Sequence, residues 1–119
     1  MSKYKIPDQP FTYHNFINGK YVDSSSKKTF NRESPGHDAV ISIYPLSNKE
    51  DTDEAIAVFK KTFKSDEWSS LAGVDREKII RNVAAIIRER AEELALIECL
   101  EGGKPITQAL DEIEWAYSK

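Results

Sequence analysis

Sulfur is nearly missing from this chain of 119 residues, which has one cysteine, Cys99, and one methionine. A lone cysteine cannot close an intrachain disulfide, so a disulfide-stapled secreted scaffold is excluded and a reducing compartment, the cytoplasm by default, is expected. An excess of one charge is missing too. Lys and Arg number 17 against 20 Asp and Glu, a net charge of −3, so no basic surface is implied that would attract nucleic-acid phosphates. Apolar runs such as Ala84 to Ile87 and Leu94 to Ile97 are far shorter than the ~20 residues a bilayer requires, and no membrane partner is expected. Met1 to Pro10 holds two prolines and several charges but no apolar stretch, which reads as a flexible leader over residues 1–10 without a secretory signal. What remains is 39% hydrophobic and 31% charged, the balance of a chain that folds as one domain or as part of one.

The organisation changes once along the chain, from period two to period 3.6. Asn18-Gly19 stands between the β-prone runs His14–Ile17 and Lys20–Val22, and both residues accept the positive φ of a type I′ turn, so a tight hairpin is predicted. Thr29–Glu33 reads as a third strand, Ser34-Pro35-Gly36-His37 as a reversal, and Ala39–Pro45 as a fourth strand closed by its proline. Ser47-Asn48-Lys49-Glu50 has the capping-box form and predicts a helix start, with Ile56, Phe59 and Phe63 as its apolar stripe. Asp75 is the expected cap of one long helix or two consecutive ones running to Glu101, with an apolar stripe through Ile79, Val83, Ile86, Ile87, Leu94 and Ile97. Gly102-Gly103 ends that stretch, and after Pro105 a last helix carries Ile106, Ala109 or Leu110, Ile113, Ala116 and Tyr117 up to Lys119. An apolar stripe that continues so far expects a partner surface.

Residues able to do chemistry are few. The five glycines, Gly19, Gly36, Gly73, Gly102 and Gly103, lack the spacing of a dinucleotide fingerprint. Gly103-Lys104 is no Walker motif, since Glu98 stands at the first glycine position and Pro105 at the metal-binding Ser or Thr. Cys99 lies between Glu98 and Glu101 near a helix C-terminus, where dipole and carboxylates disfavour a thiolate, so it reads as a packed structural cysteine. His14 and His37 have no Cys or His at ligand spacing and read as surface or hydrogen-bonding residues. Glu92-Glu93 and Asp111-Glu112 read as solvated helix faces rather than catalytic pairs. Trp68 sits in a loop, and Trp115 on the last helix reads as a packing residue. No catalytic, cofactor-binding or metal-ligating residue is therefore assigned.

Taken as a string, Phe16-Ile17-Asn18-Gly19-Lys20-Tyr21-Val22, then Ser34-Pro35-Gly36, Asp51-Thr52-Asp53-Glu54-Ala55-Ile56, Asp75-Arg76 and Leu100-Glu101-Gly102-Gly103-Lys104-Pro105-Ile106 with Glu112 downstream resemble the opening of the NAD(P)-dependent aldehyde dehydrogenase superfamily. The resemblance runs from about Phe11 to Lys119 and covers about the first quarter of a family member. It implies an α+β piece, N-terminal β-hairpins followed by three or four amphipathic helices, with residues 11–119 an incomplete N-terminal part of the α/β cofactor-binding domain. It also implies that the family's thiolate nucleophile, base glutamate, oxyanion asparagine and cofactor contacts lie downstream, that Cys99 is not the nucleophile, and that NAD or NADP serves the full-length member but not this chain alone. Some members hold a structural monovalent cation near the positions of Glu33 and Glu112, and no metal ligand is assigned here on that account. Two roles follow as expectations. The chain is an inactive N-terminal fragment whose partner is the remainder of a dehydrogenase subunit or a second copy of itself, or it is a small helical interaction module that docks through Ile106, Leu110, Ile113 and Tyr117.

Overall fold

The computed structural model describes residues 5–118, so the first four positions of the expected leader and the final Lys119 lie outside the described residues. Five strands precede four helices: β1 (Phe11–Thr12), β2 (Asn15–Ile17), β3 (Lys20–Val22), β4 (Thr29–Glu33), β5 (Val40–Pro45), α1 (Lys49–Phe63), α2 (Gly73–Glu89), α3 (Ala91–Gly102) and α4 (Ile106–Ser118). They fall into two compact units. One comprises Gln9–Arg32 and Val40–Leu71; the other takes the described part of Met1–Asp8 with Glu33–Ala39 and the helical stretch from Ala72 onward.

In the first unit β2 and β3 form the expected hairpin, with Phe16 opposite Tyr21 and Ile17 opposite Lys20. Asn18 and Gly19 have φ of 53° and 74°, the left-handed pair a type I′ turn demands. A second sheet has the order β1-β5-β4. Its β1 was not anticipated: two residues with no alternation of their own are held by parallel pairing to Ser42 and Ile43 of β5. A ring ladder binds this sheet, Tyr44 stacking on Tyr13 at 5.0 Å and on Phe30 at 5.6 Å. Offset aromatic contacts of this kind add to the simple burial of area.

The start of α1 differs from expectation by one residue. Asn48 rather than Ser47 is the N-cap, its side chain accepting from the Asp51 amide while the Asp51 carboxylate accepts from the Asn48 amide. Ser47 is diverted because its hydroxyl and the Asn15 side-chain amide hydrogen-bond each other. Asp51 is recruited because Ser24 and Ser25 already offer it donors, so the cap that satisfies more polar groups prevails.

In the second unit the stretch after Ala72 resolves into two helices. Their junction is Arg90, whose φ of −103° and ψ of 16° leave the helical region. Its guanidinium grips Glu93 through two bonds of 2.9 and 2.6 Å, one turn into α3. Asp75 is not the cap of α2. Ala72 holds that position with no side-chain bond, and Asp75 sits in the first turn, paired with Lys78 at 3.1 Å. The C-cap of α3 is as predicted: Gly103 adopts φ 72° and donates its amide to the Cys99 carbonyl at 2.9 Å. From there α4 returns to pack on α3 and α2, and its stripe Ile106, Leu110, Ile113 and Tyr117 is half-buried in doing so. Ala95, Leu100 and Ala109 form the buried centre.

Candidate functional site

The densest polar construction lies at the corner between α3 and α4. Glu98 is on the last turns of α3, Lys104 follows the left-handed cap, and Glu112 is on the second turn of α4. The reversal at Gly103 brings the ammonium between both carboxylates, 2.6 Å from Glu98 and 2.5 Å from Glu112. Gln108 donates to the other oxygen of Glu112 at 3.2 Å. The Glu112 bond, then the Glu98 bond, raises the Lys104 pKa above its ordinary value, and the Lys104 bond holds Glu112 below its own. One cation shared by two acids in a half-buried corner is a device for fixing an interhelical angle, since separating the helices strands all three charges. Glu112 thus leaves the solvated face assigned to it from sequence, because Lys104 reaches across the turn. That involvement is also where any cation near Glu112 would have to compete, and among the described residues no three His, Cys, Asp or Glu side chains cluster as metal ligands.

The same corner closes on the Ser34–Ala39 reversal. A Cβ placed on Gly103 would lie 3.2 Å from Cβ of Pro35, so the left-handed glycine is also the point of closest backbone approach. The reversal itself is internally bonded: buried Ser34 pairs its hydroxyl with His37 Nδ1 at 2.9 Å, and its amide donates to Ala39. Asp38, not Gly36, supplies the positive φ, at 52°. Beside it Lys5, Ile6, His37, Leu96, Cys99, Leu100 and Ile106 line a mostly apolar cleft of about 500 Å³. Cys99 is half-buried there with a free thiol.

In the other unit a buried carboxylate organises the first turn of α1. Asp51 accepts from the amides of Asn48 and Ser25 at 2.9 and 2.8 Å and from the Ser24 hydroxyl at 2.8 Å. Those donors, the Asn48 amide foremost, pull its pKa from 3.8 down to about 2 against the opposing effect of burial. The remaining candidates are dispersed. His14 bonds Asp23 at 2.8 Å on the surface. Glu93 is paired to Arg90, and Glu92 is exposed. Trp115, read from sequence as a packing residue, is 69% exposed, because the half-buried side of α4 is occupied by Ile106, Leu110, Ile113 and Tyr117.

The strand-to-helix junction of the described residues does not have the form of a dinucleotide site. The single strand-to-helix junction among the described residues, β5 to α1, has no glycine-rich turn, and the Asp51 carboxylate accepts from the Asn48 amide while the Asn48 side chain accepts from the Asp51 amide. A pyrophosphate brought there would meet the Asp51 carboxylate, a second anion.

With this geometry in place the comparisons with known proteins are specific. Residues 21–119 match the aldehyde dehydrogenase family, and the chain belongs to it. Aldehyde dehydrogenase family 2 member C4 of Arabidopsis thaliana is 37% identical over 100 residues, which is 84% of this chain and 20% of that protein. The cytosolic 10-formyltetrahydrofolate dehydrogenase of Xenopus tropicalis is 36% identical over 106 residues, 89% of this chain and 11% of that protein. Among solved structures, the NAD-dependent aldehyde dehydrogenase of Sinorhizobium meliloti superposes with a TM-score of 0.86 at 39% identity, covering 92% of this chain and 23% of that one. The betaine aldehyde dehydrogenase of Staphylococcus aureus, solved in complex with NAD+, gives 0.84 at 31% identity, over 87% and 21% of the two chains. The chain is an N-terminal segment of this oxidoreductase family and spans about a fifth of the length of most of these relatives.

Proposed function

We propose that these residues form the N-terminal cover of an aldehyde dehydrogenase subunit and that the whole protein oxidises an aldehyde to a carboxylic acid, passing hydride to NAD or NADP in the cytoplasm. The observation that supports this reading is the apolar surface left open. Phe59 and Phe63 of α1 are 66% and 75% exposed, and α2 has no buried residue although Ile79, Ile80, Val83 and Ile86 project from it. Apolar patches of this extent mark an interface, and in a chain covering a fifth of its relatives the remainder of the subunit is the natural occupant. The chain's own contribution is mechanical: Lys104 and the Gly103 cap set the α3–α4 corner, and Asp51 sets the start of α1. The chain alone is read as inactive, since it spans only about a fifth of the length of its relatives.

The test is fragment complementation. The purified 119-residue chain is assayed for aldehyde-dependent reduction of NAD and NADP, alone and mixed with a Sinorhizobium dehydrogenase lacking the segment that this chain matches. No turnover alone and recovered turnover on mixing are expected. Turnover by the chain alone refutes the inactivity, and a mixture that never recovers activity or forms a complex refutes the covering role.

A further inference from the structure

The cleft beside the Ser34–Ala39 reversal lies within one unit, and none of the α1 and α2 residues assigned to the cover by the remainder of the subunit lines it. Its walls are aliphatic, from Ile6, Leu96, Leu100 and Ile106, and its polar lining residues are Lys5, His37 and Cys99. No acid lines it, and Glu98, beside Cys99 in sequence, is already held by Lys104 at 2.6 Å. Lys5 is exposed and has no hydrogen-bond or ion-pair partner among the described residues. His37 has a defined tautomer. The Ser34 hydroxyl is buried, at 3% exposure, and its partner among the described residues is His37 Nδ1 at 2.9 Å. A buried hydroxyl proton needs an acceptor, so Ser34 donates to Nδ1, and the neutral imidazole then carries its own proton on Nε2. Two donors, one of them a cation, thus share an apolar cleft, which is the complement of an anionic head on an aliphatic tail.

We propose that this cleft binds an aliphatic monocarboxylate, its carboxylate accepting from the Lys5 ammonium and His37 Nε2 and its alkyl chain lying against Ile6, Leu96, Leu100 and Ile106. The volume of about 500 Å³ is that of a small-molecule site and holds a chain of about ten carbons. The tail supplies the affinity, since each methylene withdrawn from water strengthens binding by up to about four-fold. The head supplies the selection. A second carboxylate at the far end of the chain would be buried among aliphatic side chains without a partner, so a dicarboxylate of the same length is rejected. Binding is noncovalent, and Cys99 contributes only wall, where its half-buried free thiol is covered once the chain is seated. The proposal does not rest on the reading as a dehydrogenase segment: fragment complementation can fail while the cleft binds its acid, and the reverse.

Isothermal titration of the 119-residue chain with sodium decanoate is expected to give one site with Kd between roughly 10 µM and 1 mM, the range of a ligand with about a dozen heavy atoms. Octanoate should bind roughly ten-fold more weakly, and decanedioate should not bind. Lys5→Glu, at an exposed position, should weaken decanoate about five-fold, while Lys5→Arg, which keeps the charge, should bind as the parent does. The exposed phenylalanines of α1 could also take up an alkyl chain, so a second readout is local to the cleft: saturating decanoate should slow alkylation of Cys99 by iodoacetamide at least about five-fold, with half the effect reached at the calorimetric Kd. No binding at millimolar decanoate, an affinity indifferent to Lys5→Glu, decanedioate as tight as decanoate, or Cys99 alkylated at an unchanged rate under saturating decanoate each overturns the proposal.

Discussion

Replacing Gly103 by alanine perturbs two things at once, and the structure gives a size to each. Its φ of 72° lies in the left-handed region, where an L side chain costs about 1–2 kcal/mol. The new Cβ would lie 3.2 Å from Cβ and 3.4 Å from Cγ of Pro35. Pro35 cannot swing aside as a flexible side chain does, because its ring is part of the backbone of a reversal held by Ser34 and His37. Forcing that gap adds about 1 kcal/mol, the lower end of an overpacking cost. The total of about 2–3 kcal/mol is a large share of the stability of so small a chain. At about 3–6 °C per kcal/mol for this length, Tm should fall by about 6–18 °C. Gly102→Ala is the internal control, since Gly102 is helical and its Cβ would meet only the Lys104 Cε at 4.0 Å. There alanine should be neutral or stabilising by up to about 1 kcal/mol. Thermal and urea unfolding of both variants, followed by circular dichroism, decide the matter. If Gly103→Ala melts no lower than Gly102→Ala, neither the left-handed cap nor the Pro35 contact has the role described here.

Three further outcomes follow from the same geometry. Asp51 has a depressed pKa, about 2 in the fold against 3.8 ordinarily, so its contribution is complete above pH 3.8 and is lost as pH falls toward 2; Asp51→Asn should remove that part of the acid sensitivity in stability-against-pH curves. Lys104→Met leaves Glu98 and Glu112 facing each other without their shared cation, so this variant should gain stability as pH falls through the carboxylate range, whereas the parent, whose Glu112 is depressed by Lys104, should lose it. Leu100→Ala, at 3% exposure, should cost about 2–5 kcal/mol, while Trp115→Ala, at 69%, should stay within about 0.5 kcal/mol, as read from urea midpoints.

The local chemistry of the sequence was sufficient for much of the fold. Asn18-Gly19 specified its turn because two adjacent residues tolerate positive φ, and Gly103 specified its cap for the same reason. The family string was legible for a related cause: segments such as Leu100 to Ile106 combine a helix end, a left-handed cap and a helix start within a few residues. These are properties of neighbouring residues, and neighbours are what a sequence displays.

What only the tertiary structure decided depends on residues far apart in the chain. The cap of α1 moved from Ser47 to Asn48 because Ser24 and Ser25, more than twenty positions earlier, claim Asp51. Strand β1 exists because β5 offers it an edge, and the break at Arg90 carries no glycine or proline to announce it. The α4 stripe, expected to await a partner, is spent on α3 and α2, and the uncovered apolar face is found on α2 instead. Periodicity shows that a helix has an apolar side, but which neighbour covers it is set by long-range packing, and that assignment turns Glu112 from a solvated acid into half of the Lys104 clamp.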